Sequence, residues 1–256
     1  VVDPGGNTVS FENKTVIITG AASGFGERTA QRFAEQGARV VIVDLHQEKA
    51  QAVAEALGAG RAIAVRADVS NKADIEAAVA ATTQAFGTPD IVINNAGFTH
   101  RNQPLLDVDE ATFDRVLNVN VKSVFHMVKA VVPAMRDNGG GVILNVGSVA
   151  GIRPRPGLTW YNASKGAINT LSKSLAVELA PWKIRVNAIC PVMGVTGMLE
   201  DFMGMPDTPA NRERFLGSIP LARFCEPDDV AQAALYLAGA DYITGVELPV
   251  DGGRTI

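Results

Sequence analysis

The sequence predicts a doubly wound α/β fold built on one parallel sheet, and three observations carry that expectation. Short runs rich in β-branched residues recur along the chain, helical patterns fill the intervals, and a glycine-rich turn joins the first run to the first helix. Near-continuous apolar runs of this kind are strands covered on both faces. Parallel neighbours need crossover helices, and right-handed crossovers place them on both sides of the sheet.

The expected strands are 14–19 (KTVIIT), 39–44 (RVVIVD), 61–66 (RAIAVR), 90–94 (DIVIN), 141–146 (GVILNV) and 184–189 (IRVNAI), with 245–250 (GVELPV) as a seventh. The first helix ends near Gln36 and Gly37, and helical patterns cover 73–86 and 113–135. The stretch 191–220 breaks the alternation with Met193-Gly194, Gly197-Met198, Met203-Gly204-Met205, Pro206, Pro209 and Pro220. It is too long for an ordinary connection, so 192–217 reads as a lid over a site, or else as a passive insertion. Residues 1–12 read as a loose tail without the basic and apolar regions of a signal peptide. No linker or repeat divides 13–256, which is expected to form one domain.

Composition narrows the function classes. With 23 basic and 27 acidic residues the net charge is -4, and no basic run suggests nucleic acid. No apolar stretch is long enough for a membrane span. The two cysteines, Cys190 and Cys225, form no CxxC pair and fit a reducing compartment. A cytoplasmic protein handling small molecules is expected.

The turn Thr19-Gly20-Ala21-Ala22-Ser23-Gly24-Phe25-Gly26 stands between a strand and a helix. Glycines there permit a tight turn and close approach of backbone to a pyrophosphate, and the helix N-terminus presents free amides. Asp44 ends the second strand, where a carboxylate can accept hydrogen bonds from an adenosine ribose. A 2′-phosphate at ~4 Å would be repelled by roughly 4 kcal/mol at an effective dielectric of ~20, about 1000-fold in affinity. NAD rather than NADP is therefore the expected cofactor. Capping of the next helix is the plainer alternative for Asp44.

Tyr161 and Lys165 are four residues apart, one above the other on a helix face. Ser148 directly follows the fifth strand, at the carboxyl edge of the sheet where such folds bind ligands. A tyrosine near a lysine is common by chance; for the tyrosine to serve as a base near neutrality its ordinary pKa of about 10 would have to fall by roughly three units, about 4 kcal/mol. One ammonium at ~4 Å supplies energy of that order. The three histidines, His46, His100 and His126, follow no metal-ligand pattern, and no metal is expected.

Taken together, the TGxxxGxG turn, Asn94-Asn95-Ala96-Gly97, Asn120 within NVNVKS, Asp68-Val69, and Ser148 twelve residues ahead of the Tyr161-Asn162-Ala163-Ser164-Lys165 block resemble the short-chain dehydrogenase/reductase family. The resemblance is to its single-domain type of roughly 250 residues, a Rossmann-type NAD-binding domain. It implies that Tyr161 is the general acid and base, that Lys165 lowers its pKa and holds the nicotinamide ribose, that Ser148 binds the substrate oxygen, and that Asn120 holds a water on a proton path. Cofactor contacts are implied at Gly20, Ser23, Gly24, Phe25, Gly26, Asp44, Leu45, Asp68, Val69, Asn95, Ala96, Gly97, Tyr161, Lys165, Pro191, Gly194 and Thr196. It also implies a homotetramer joined through the helix 159–179 and the segment 245–256.

Two departures stand out. Val192 replaces a glycine usual after the sixth strand, and Gly194 stands where the family usually has a branched residue. The junction 237–241 is shorter than usual, through a true deletion or missing residues.

Substrate contacts are expected from Phe98, His100, Val149, Leu158, Trp160, Met193 and Met198, which suit an apolar or aromatic secondary alcohol or its ketone. Arg101, Arg153 and Arg155 either bind an acidic group or are solvated loop charges, and the second is favoured. Reduction of a 3-oxoacyl thioester and oxidation of a sugar or polyol are the alternative reactions. A catalytically silent NAD-binding protein is the non-enzymatic one, and the intact Ser148, Tyr161 and Lys165 speak against it.

Overall fold

The computed structural model describes residues 10–256; positions 1–9 of the expected tail lie outside the described residues. Seven parallel strands form one sheet in the order β3-β2-β1-β4-β5-β6-β7. They are β1 (Thr15–Thr19), β2 (Arg39–Asp44), β3 (Ala62–Arg66), β4 (Ile91–Asn94), β5 (Gly141–Val146), β6 (Ile184–Pro191) and β7 (Glu247–Val250). The predicted strands are all present, each within two residues at either end.

Alternating side chains of the strands feed two cores. Val16, Ile18, Val40, Ile42, Ile93 and Leu144 pack under the helices α1 (Gly24–Glu35), α2 (Gln47–Leu57) and α9 (Pro227–Gly239). Ile17, Val41, Val92, Ile143 and Val186 pack on the opposite face under α3 (Lys72–Phe86), α5 (Ser123–Asp137) and α6 (Thr159–Leu179). Burial of each such side chain is worth about 1.5–3 kcal/mol, so the period-two pattern fixes strand register firmly. Asp228 of α9 accepts hydrogen bonds from Nε of both Arg28 and Arg32 at 2.7 Å, which ties α9 to α1.

The tail expectation needs correction at its inner end. Phe11 is buried and its ring lies 4.9 Å from that of Phe33, because its apolar surface closes the α1 side of the core.

The pattern over 113–135 is not one regular helix. α4 (Glu110–Leu117) passes through a single π turn at Asn118–Lys122 into α5. Such turns often mark functional positions, and this one carries Asn120.

The stretch after β6 is structured. It contains α7 (Leu199–Met203) and α8 (Pro209–Leu216), and Leu199, Met203, Ile219 and Phe224 form a small core of its own. The shortened junction before β7 is closed by Arg185. Its guanidinium donates to the carbonyl oxygens of Leu237 (2.8 Å), Ala238 (2.6 Å) and Ile243 (3.0 Å).

Candidate active site

β1 lies between β2 and β4, so the chain direction across the sheet reverses there. Crevices at such points, outside the carboxyl ends of the strands, are where open α/β sheets bind ligands. A cavity of about 370 Å³ opens at this place.

One wall is backbone. Gly20 has φ +62°, and a Cβ there would stand 2.9 Å from Ala96 Cα. Gly24 has φ +58° and faces the methyl of Thr196. Asn95 pins this turn: its Nδ2 donates to the carbonyls of Thr19 (2.9 Å) and Gly20 (3.0 Å). Ser23 caps α1 with no side-chain hydrogen bond to the helix, so the first amides of a twelve-residue helix are left for a ligand. Gly20, Ser23, Gly24, Phe25, Asn95, Ala96 and Gly97 all line the cavity. Gly26 does not. A Cβ on it would fall 2.3 Å from the Gly20 oxygen, so this glycine lets helix and strand pack closely rather than meeting a ligand.

Asp44, Leu45, Asp68 and Val69 line the same wall. The Asp44 carboxylate accepts from the Ala22 amide and the His46 amide, both at 3.0 Å. It therefore braces the glycine turn from the neighbouring strand; it is not the cap of α2, which is His46.

The departures near residue 192 have physical causes. A Cβ on Gly194 would lie 2.3 Å from Cζ of Phe25, so the ring occupies the space of a side chain at 194. Val192 packs against the α7–α8 core, and its amide donates to the Val250 carbonyl at 3.1 Å. Pro191, Met193, Gly194 and Thr196 remain on the cavity lining.

Ser148, Tyr161 and Lys165 meet in this cavity, and all three are buried. Ser148 opens a short 3-10 turn at Val149–Gly151, where its Oγ accepts from the Ala150 amide at 3.0 Å and donates to the Pro191 carbonyl at 3.4 Å. Burial pushes the Tyr161 phenol up to about 12, while the Ser148 hydroxyl and the Arg155 charge pull it the other way. Burial also pushes the Lys165 ammonium down to about 8. Its Nζ donates to the Val146 carbonyl at 2.7 Å and lies 5.8 Å from the Tyr161 ring centroid. The Val146 carbonyl takes one Lys165 N–H, and Ser148 and Arg155 are the groups that favour the ionised phenol.

Asn120 is buried beside this group and is not on the lining. Its Oδ1 accepts from the Phe98 amide (2.8 Å), and its Nδ2 donates to the Phe98 carbonyl and the Ser164 hydroxyl, each at 2.9 Å. The side-chain amide holds the strand-four loop to α6.

Of the expected substrate residues, Phe98, Val149, Leu158, Met193 and Met198 line the cavity. His100 and Trp160 do not. His100 is buried, with Nδ1 2.8 Å from the Arg101 carbonyl oxygen. Trp160 stands edge-on to Phe113 at 5.3 Å, because one helical step from Tyr161 turns it toward α4. Arg153 and Arg155 are on the lining, against the expectation of solvated loop charges, whereas Arg101 is not and donates to the Gly204 carbonyl at 3.0 Å. Phe202 and Phe215 lie within the expected lid and line the cavity, and sequence reasoning missed Arg115, Ile219 and Arg254, which also line it. They come from distant segments, and only folding brings them together.

Comparison with known proteins agrees with this geometry. The family model described as "Enoyl-(Acyl carrier protein) reductase" matches residues 20–255. The 4-formylbenzenesulfonate dehydrogenase TsaC1/TsaC2 of Comamonas testosteroni is 50% identical over 252 residues, covering 97% of this chain and all of that protein (100%). The 2-(R)-hydroxypropyl-CoM dehydrogenase of Xanthobacter autotrophicus is 39% identical, covering 95% of this chain and 99% of that protein. The crystal structure of 3-ketoacyl-(acyl-carrier-protein) reductase from Brucella melitensis complexed with NADH superposes with a TM-score of 0.91 at 48% identity, covering 96% of this chain and 100% of that one. Full-length matches at these identities, on a sheet whose reversal point gathers Ser148, Tyr161 and Lys165 against a glycine turn, place the chain in the short-chain dehydrogenase/reductase family.

Proposed function

We propose that this chain interconverts an alcohol and its carbonyl compound with NAD(H), using Tyr161 as the acid and base. The observation that carries the reading is one cavity lined by the glycine turn, Asp44, Ser148, Tyr161 and Lys165 together. The residues present fit the cofactor. The cradle at Gly20 has no room for a side chain, and Asp44 offers a ribose a carboxylate where a 2′-phosphate would meet repulsion. NAD, when bound, accepts or supplies the hydride. NADH in the Brucella protein supports this choice.

The chain's own groups handle the proton and the oxygen. Ser148 holds the substrate oxygen, and the Tyr161 hydroxyl gives it a proton in reduction or takes one in oxidation. Lys165 would hold the nicotinamide ribose, and Asn120 fixes the strand-four loop to α6 beside it. The segment 192–217 acts as the lid. An aromatic carbonyl or alcohol suits the lining of Leu158, Phe202 and Phe215, and the formyl arene named for the Comamonas relative supports it. A second reading, reduction of a 3-oxoacyl thioester, is favoured by the name of the Brucella protein, a reductase solved with NADH. We read the assembly as a homotetramer in the cytoplasm. Exposed Val177 on α6 and Val246 and Ile256 near β7 support the contacts, and the mass in solution tests them.

Tyr161→Phe tests the chemistry. It is expected to lower kcat by about 10²–10⁴-fold while NADH affinity, followed by fluorescence, stays within about threefold. Undiminished turnover would remove Tyr161 from the mechanism.

A further inference from the structure

We infer that the substrate carries an oxoanion, a carboxylate or sulfonate, held by Arg155 and Arg254 on the lid side of the cavity. This rests on the alcohol–carbonyl reading and names the class of molecule it acts on.

The charges of the lining are divided. The carboxylates Asp44 and Asp68 belong to the wall of the glycine turn, at the ends of β2 and β3, whereas Arg115, Arg153, Arg155 and Arg254 line the same cavity with no carboxylate among the lid residues beside them. That is unexpected in a chain of net charge -4. Outside the cavity Arg28 and Arg32 pair with Asp228, Arg212 with Asp207 and Arg223 with Asp229, while Arg39, Arg61, Arg101 and Arg185 donate to backbone carbonyls. Among the described residues, no carboxylate side chain lies within ion-pairing distance of the four cavity arginines.

Two of the four are engaged. Arg153 Nη1 donates to the backbone oxygens of Arg254 (2.8 Å) and Ile256 (3.4 Å), and Arg115 lies 4.0 Å over the Phe98 ring. Arg155 is positioned but not neutralised. One nitrogen donates to the Phe202 carbonyl at 2.7 Å, and its guanidinium lies 5.4 Å from the Phe215 ring centroid. Burial and the like charge of Arg254 both oppose its own charge. A guanidinium does not shed its proton under such conditions, and an anion entering the cavity would relieve the repulsion. A planar fork of donors suits an oxoanion.

The geometry also limits the rest of the molecule. Arg155 is near enough for its charge to act on Tyr161, and the Phe202 ring stands 5.1 Å from the Tyr161 ring. A short apolar body, an arene or a few methylenes, spans from the reacting carbon to the anion along Leu158, Met198 and Phe202.

The test uses the full chain with NAD and benzyl and 1-phenylethyl alcohols bearing a para carboxylate, sulfonate or methyl group. Hydrogen bonds to charged groups contribute ~1.5–3 kcal/mol, so either anion is expected to exceed the methyl compound in kcat/KM by about 10- to 100-fold. Arg254→Gln should act mainly on KM, and both it and Arg155→Lys, which keeps the positive charge beside Tyr161, should lose at least about ten times more on the anionic alcohols than on the methyl alcohols. A merely structural role for these arginines would give equal losses. Equal use of all three para groups, or equal losses, overturns the inference and leaves the reaction class standing. If no alcohol is turned over, the reaction reading fails and calorimetry of benzenesulfonate with the NADH-saturated protein decides the subsite. Binding weakened about tenfold by Arg254→Gln supports it, and absence of binding overturns it.

Discussion

The two halves of the cavity are built in different ways. The wall that faces the cofactor is made of strand ends, one glycine turn and one helix N-terminus, and its side chains mostly brace backbone: Asn95 holds Gly20, and Asp44 holds Ala22. The wall that faces the substrate is made of side chains from segments far apart, including Arg115, Leu158, Phe202 and Arg254. The first half presents shape and amides, and the second presents rings and unpaired positive charge. A family can keep the one while the other is rebuilt for each new molecule, because backbone recognition constrains few side chains and side-chain recognition constrains little backbone.

Three substitutions sharpen that contrast, in decreasing order of effect. Asp44→Ala is expected to raise the NADP/NAD ratio of kcat/KM by up to about 1000-fold, from the roughly 4 kcal/mol of repulsion removed. It should also weaken NAD, since the Ala22 and His46 amides lose their acceptor. Unchanged selectivity would show that another group discriminates.

Lys165→Met probes the buried charge. The folded pKa of Lys165, about 8, lies below its ordinary 10.5, so between those values the unfolded chain binds a proton that the folded chain has released. By itself this raises the stability of the parent protein with pH across the window, by up to about 3 kcal/mol, while the buried thiols of Cys190 and Cys225, both pushed up to about 12, act in the opposite direction. Between about pH 8 and 10.5, urea unfolding should show the stability difference between parent and variant shifting by up to about 3 kcal/mol in the parent's favour, since the thiols act on both alike. Equal slopes would mean that the ammonium is hydrated.

Gly26→Ala should cost about 1–3 kcal/mol, the usual penalty of overpacking, because its new carbon meets the Gly20 oxygen. Thermal unfolding reads the loss. A variant as stable as the parent would show that the turn can yield.

Sequence made the fold legible wherever periodicity or glycine stereochemistry dictates structure. The strands, the turn and the Tyr161–Lys165 spacing all follow from rules of one or two periods. What it hid depends on phase and on distance. Trp160 neighbours Tyr161 in sequence, yet one helical step carries it to Phe113. Arg155 looked like a loop charge until the Phe202 carbonyl and the Phe215 ring enclosed it. Asn120 could be named from its surroundings in sequence. Its work on Phe98 and Ser164 depends on a π turn that no periodicity announces.

The contact between Phe25 and Gly194 ties two positions into a heritable pair. A branched residue placed at 194 alone collides with the ring, and a small residue at 25 alone opens a hole beside the bare glycine. Grafting the glycine turn of a relative into this chain therefore means exchanging both sites at once, and a lineage moving between the two states has to pass through an intermediate worse than either.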